Sequence, residues 1–152
     1  MAAYPAKLQE IIDLFEHLSE PEKRENLIVY ADQAEAHAPV EGEAYALEDV
    51  RKDEECTDTV GIFLRDDGEG RVTFRVSLGP QVQTLTRAMT AILCEGLSGS
   101  TPQTVRDVPA DFVPKIVGGQ LVRQRSQTVY YVLGRMKNAC LVYERRQAAK
   151  AH

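Results

Sequence analysis

The sequence predicts an α+β fold, with a small antiparallel β-sheet centred on one hairpin and helices packed against it from both ends of the chain. Three observations carry this. Between Arg71 and Leu78, the residues Val72, Phe74, Val76 and Leu78 alternate with Thr73, Arg75 and Ser77, the period of two of a half-buried strand. A second apolar run, Val60 to Leu64, precedes it across Asp66-Asp67-Gly68-Glu69-Gly70, which has the composition of a hairpin turn. On both sides of this pair the apolar residues recur at helical spacing instead. Two helices, a hairpin and then several helices is the order of an α+β domain, and sandwich or barrel folds would need more strands than the chain offers.

Taken in order, Pro5 to Leu18 reads as an amphipathic helix with Leu8, Ile11, Ile12, Phe15 and Leu18 on one face; proline is tolerated in a first turn. A second helix starts at Ser19, which caps it while Glu22 closes a capping box. Pro21 fits its first turn, and Leu27, Ile28 and Ala31 supply its apolar face. It ends before His37-Ala38-Pro39, because a residue ahead of proline avoids helical geometry. Val40 to Asp58 has no clean period and reads as a loop. After the hairpin, Gln81 to Leu97 is helical, with Val82, Leu85, Met89, Ile92 and Leu93 in one stripe. Gly99 ends it, and Thr101 caps a short helix that opens with Pro102. Pro109 and Pro114 punctuate the next segment, and Gly118-Gly119 is a turn. From Arg125 to about Arg146 the chain is helical again, with Val129, Val132, Leu133, Met136, Cys140 and Tyr143 on one face. Arg145 and Arg146 suit a helix C-terminus.

At 152 residues the chain suits one domain, 1–152, with about 4–146 structured. A hydrophobic share of 43% against 27% charged residues is globular. The net charge of −5 argues against a nucleic-acid partner, since phosphate neutralisation calls for a basic face. No apolar run approaches the roughly 18 residues of a membrane span, and the first residues lack the basic start and apolar stretch of a secretory signal. The expected location is the cytoplasm. Three cysteines at wide spacing form neither a disulfide framework nor a zinc site. The Asp66–Gly70 segment lacks the alternating ligands of a calcium loop, and no glycine-rich phosphate loop is present. No metal or cofactor is expected on the chain.

The cysteines differ. Cys140 falls on the apolar stripe of the last helix and reads as a small buried hydrophobe. Cys94 lies with Arg87 and Thr90 on the side of its helix away from Leu85 and Met89, and is structural if a neighbouring helix covers that face. Cys56 lies on no periodic face. Its surroundings are polar and charged: Arg51-Lys52-Asp53-Glu54-Glu55-Cys56-Thr57-Asp58-Thr59. Four acidic neighbours disfavour a thiolate, Arg51 and Lys52 offset them only in part, and no histidine is placed by the sequence to activate the thiol. If Cys56 is used, activation comes from the surface it docks onto; otherwise it is an incidental loop thiol.

The layout from about Tyr4 to Lys137 resembles the SufE family of sulfur-acceptor proteins. The opening Pro5-Ala6-Lys7-Leu8-Gln9-Glu10-Ile11-Ile12-Asp13-Leu14-Phe15 is similar to that family's first helix. Cys56 stands where the family carries its persulfide cysteine, just before a strand. Gly99-Ser100-Thr101-Pro102 is similar to its Gly-Lys-Thr-Pro junction, and Leu121 to Lys137 to its final region, with Arg125 at the arginine before the last helix. The chain departs from the family in Glu55-Cys56-Thr57-Asp58-Thr59, where Gly-Cys-Gln-Ser-Gln is usual, and in Gly61, where an aromatic residue is common. Pro80-Gln81-Val82-Gln83 stands in place of Asp-Ser-Asp-Ala, and Gln127-Thr128 in place of Asn-Gly.

The resemblance implies a SufE-like fold and a persulfide carrier rather than a stand-alone enzyme. Cys56 would accept sulfur from a cysteine desulfurase for iron–sulfur cluster assembly, with an iron–sulfur scaffold as a further partner. Pyridoxal phosphate would sit on the desulfurase, and Arg125 would brace the Cys56 loop or touch the partner. The alternative is a binding or regulatory module of the same fold that has lost sulfur transfer.

Overall fold

The computed structural model describes residues 4–52, 59–118 and 127–150. Helix α1 (Ala6–Glu16) buries Leu8, Ile11, Ile12 and Phe15, with Pro5 at its N-cap. Helix α2 (Glu20–Asp32) opens with both halves of the Ser19–Glu22 capping box made and Pro21 in its first turn. It buries Leu27 but leaves Ile28 55% exposed, so Ile28 does not join the core as its spacing suggested. Tyr30 and Ala31 pack against the core in its place, because α2 lies along the central helix on a narrow face. A 3-10 turn at Ala34–His37 ends the segment before Pro39.

Three strands form the sheet: β1 (Leu47–Lys52), β2 (Thr59–Asp66) and β3 (Val72–Leu78), antiparallel in the order β1-β2-β3. The β2–β3 hairpin is the one the alternation predicts. Strand β1 is a correction to the loop expected over Val40 to Asp58. Its inward positions are Leu47, Asp49 and Arg51, which stand opposite Leu64, Ile62 and Val60. Among the described side chains of the strand only Leu47 is buried, so the period-2 signal is lost. What holds β1 is pairing to β2 and a polar contact from the last helix.

Helix α3 (Thr84–Leu97) is the centre of the molecule. Ten of its residues, from Thr86 to Leu97, are buried, because α1, α2 and β3 all pack on it. At Gly96 the helices α1 and α3 meet so closely that an added Cβ would stand 3.0 Å from Leu8 Cβ. Helices α4 (Pro102–Asp107) and α5 (Val113–Val117) follow. The Thr101 side chain caps α4 by accepting from the Thr104 N–H at 3.2 Å, and Gly118 closes α5 at a φ of 87°. Helix α6 (Gln127–Lys150) is the longest and runs past the expected end near Arg146, since Gln147-Ala148-Ala149-Lys150 are strong helix formers. Among the described residues no helix is long and apolar enough to cross a membrane.

The β2–β3 turn absorbs its own acidic residues. Asp66 Oδ1 accepts the Gly68 N–H at 2.6 Å, and Asp67 Oδ1 accepts the Glu69 N–H at 2.7 Å and the Arg71 N–H at 3.1 Å. These carboxylates serve the turn, and among the described residues no cluster of three ligating side chains suits a metal.

Candidate functional site: the end of the β1–β2 hairpin

The six residues 53–58 join Lys52 to Thr59. Cys56 lies outside the described residues, as does Arg125, so the structure neither brings them together nor separates them. What it does describe is the frame from which the connection leaves. Lys52 pairs with Thr59, and Arg51 with Val60, so the connection starts and finishes at one closed end of the sheet.

That end is held from below by Arg135 of α6, which is 3% exposed. Its guanidinium donates from Nη2 to the Asp49 carbonyl at 2.6 Å and from Nη1 to the Val60 carbonyl at 2.6 Å, and reaches Asp49 Oδ2 at 3.3 Å. One side chain thus bridges both strands, three residues before Lys52 and one after Thr59. Its planar fork makes this possible, and a lysine could not span the same acceptors. Tyr131, one turn earlier, lays its ring 5.7 Å from the guanidinium carbon, a cation–π distance. Arg51 shares Asp49 at 3.4 Å. Reading the sequence alone passes over Arg135 as a site residue, because a charged residue among apolar ones reads as a solvated face. Periodicity gives no signal for it, since neighbouring helix positions lie about 100° apart and Arg135 falls off the apolar stripe that holds Met136.

Helix α6 runs along β2 in the same direction. Arg135 meets the chain at Val60, and eight residues later the Tyr143 hydroxyl donates to Asp66. Gln127 is about 12 Å of helix ahead of Arg135 at 1.5 Å per residue, so α6 begins at the Lys52–Thr59 end. The positive end of its macrodipole therefore lies on the side of the sheet from which the connection emerges.

The other cysteines are far from exchange chemistry. Cys94 and Cys140 are both fully buried and free. Cys94 borders the groove that also holds Arg75 and Glu95, yet its own side chain has no exposed surface. Burial pushes the Cys94 thiol up to about 12, with Glu95 adding and Arg75 opposing. Burial likewise pushes Cys140 up to about 12, with Glu144 adding. Tyr4, hydrogen-bonded to Asp111, and Tyr143, hydrogen-bonded to Asp66, are also raised to about 12, in both cases first by burial.

These four groups give one pH dependence. Each holds its proton more tightly folded than unfolded, so its contribution to stability is whole below the unfolded values of 9.0 for thiols and 10.0 for tyrosines. It is lost as pH rises toward about 12, where the unfolded chain has already released the protons. Urea midpoints should hold steady from neutral pH to 9 and fall progressively above it. A midpoint that does not fall above pH 9 would refute these assignments.

A groove of about 660 Å³ lies along the other half of the sheet, lined by Lys7, His37, Arg65, Arg75 and Glu95 among others. Arg65 and Arg75 share Glu43 there, at 3.4 and 3.6 Å. His37 is half-buried and its pKa is lowered, first by burial, with Glu95 opposing and Arg75 assisting. The groove is lined by Arg65 and Thr73, at the end of the hairpin opposite Thr59.

A comparison with solved structures finds the same architecture in a hypothetical protein from Thermus thermophilus, described from its solution structure. That match has a TM-score of 0.74 and 21% identity, and covers 92% of this chain and 97% of the other. No curated protein matches the sequence. The family model SufE, described as an Fe-S metabolism associated domain, matches residues 9–140. With that match over most of its length, and with the antiparallel sheet and helices described above, the chain belongs to the SufE family, whose domain is associated with Fe–S metabolism.

Proposed function

We propose that this protein accepts sulfur from a cysteine desulfurase onto Cys56 and passes it on for iron–sulfur cluster assembly. The observation that carries the reading is an elimination among three thiols. Cys94 and Cys140 are buried, with their protons held to about pH 12, which leaves Cys56 for exchange. Family membership supplies the association with Fe–S metabolism.

The step is a thiol exchange. The desulfurase holds a persulfide, its cysteine bonded to a terminal sulfur taken from L-cysteine with the help of its own pyridoxal phosphate. The Cys56 thiolate attacks that terminal sulfur and a new sulfur–sulfur bond forms. The old one breaks, and its electron pair leaves with the desulfurase thiolate. One sulfur atom moves, and no outside oxidant or reductant is needed. Rate in such exchange follows thiolate fraction and access. The acidic residues beside Cys56 in the sequence lower that fraction in the free protein. The thiol is thus quiet until a partner surface engages it.

The test is intact mass after incubation with L-cysteine and a cysteine desulfurase. Wild type should gain one or more sulfur atoms, reversible by a reducing thiol, and Cys56→Ala should gain none. Equal gain in both, or none in wild type, would end the reading. The acidic run around Cys56 favours one second reading, a module that binds the desulfurase without accepting sulfur. Binding with neither turnover stimulation nor mass gain would establish it.

A further inference from the structure

We propose that Arg135 is a positioning residue for sulfur acceptance, an inference that rests on the reading of Cys56 as the acceptor. The guanidinium ties Asp49 of β1 to Val60 of β2 at 2.6 Å each, and these are the strands that flank the connection 53–58. Such a bridge asks more of an arginine than a simple ion pair does. A charge that is 3% exposed takes two of its three acceptors from backbone carbonyls and has one carboxylate, at 3.3 Å. A buried charge is hard to accommodate unless its hydrogen bonds are well made. Arg135 places that cost between the middle of β1, at Asp49, and the start of β2, at Val60.

Pairing between β1 and β2 does not by itself define the frame. β1 is an edge strand with one buried residue among its described side chains, Leu47, at its start. Val50, near its end, is 55% exposed. Little apolar burial on the β1 side therefore restrains the Lys52–Thr59 end, although Val60 of β2 is buried, and edge pairings of this sort slip or fray. The Arg135 bridge supplies the restraint that packing omits. It acts on the geometry of exchange by holding the frame from which the thiol is presented, and exchange is sensitive to small misplacements.

Three variants separate the roles. Arg135→Gln removes the charge and one arm of the fork. Arg135→Lys keeps the charge but cannot reach both carbonyls. Asp49→Asn leaves both carbonyl bonds in place. Two readouts are taken well below each variant's melting temperature: amide hydrogen exchange at Arg51, Lys52, Thr59 and Val60, and the rate of sulfur transfer from a desulfurase. Alkylation of Cys56 by a small neutral reagent serves as the control.

Arg135→Gln and Arg135→Lys should each lose protection at those four amides and slow transfer at least tenfold, with alkylation changed less than about threefold. Asp49→Asn should slow transfer only two- to threefold. Unchanged transfer in a folded Arg135→Lys, or exchange that rises evenly through the sheet, overturns the proposal. If wild type accepts no sulfur, the acceptor reading fails by itself. The exchange pattern then decides whether Arg135 holds the strand ends, and even protection across them would overturn that too.

Discussion

In the native protein one thiol of three should react with a small disulfide reagent at pH 8, and Cys56→Ala should abolish that reaction. A thiol held up to about 12 is thiolate to about one part in ten thousand at that pH, whereas an ordinary cysteine near 8.5 is about a quarter ionised. Ionisation alone therefore separates Cys94 and Cys140 from an ordinary cysteine by about three orders of magnitude. Both are also fully buried, which slows reagent further, although Cys94 borders the groove and needs only local movement to be reached. Acidic neighbours slow Cys56, but tenfold retardation would still leave a gap of about a hundredfold. Native protein should give one equivalent with single-phase kinetics, and denatured protein three. Two or more fast equivalents from the native chain would contradict the burial of Cys94 or Cys140.

Gly96→Val should be among the most destabilising single substitutions outside the aromatic core. A Cβ at that position meets Leu8 Cβ and Cδ1 at 3.0 Å and Leu8 Cα at 3.2 Å. The last of these is backbone, so a rotamer change cannot relieve it and α1 itself must shift. Overpacking of this kind costs about 1–3 kcal/mol, and the gain in helix propensity over glycine returns only about half a kcal/mol. For a chain of this size each kcal/mol moves the melting temperature by about 2–4 °C. Gly134 gives the contrast. It lies in α6, is exposed, and an added Cβ there would meet nothing within 4 Å. Gly134→Ala should raise stability by about 0.5–1 kcal/mol. Thermal melts of the two variants should shift in opposite directions, and a stabilised Gly96→Val would show that α1 does not sit as described.

The legible parts of the fold are those where a local pattern and a tertiary contact agree. Ser19 and Glu22 meet in the capping box because both partners lie within one turn. The hairpin follows from the alternation in Val72–Leu78 and the turn before it. Strand β1 is illegible because its inward residues are Leu47, Asp49 and Arg51, which carry no apolar alternation. Arg135 is illegible as a site residue for the same reason in reverse. Its meaning lies in Asp49 and Val60, 86 and 75 residues away.

Local spacing along the chain was enough for the fold class, the elements with strong periodicity and the buried state of Cys140. These rest on relations between near neighbours, which folding preserves. Two features became visible only in three dimensions. Helix α3 is enclosed on several sides, so that Cys94 is buried, and a guanidinium ties β1 to β2 where β1 itself offers little apolar packing. Both depend on which distant elements come to share a face. That choice is made by the packing of the whole core and leaves no periodic trace in the chain.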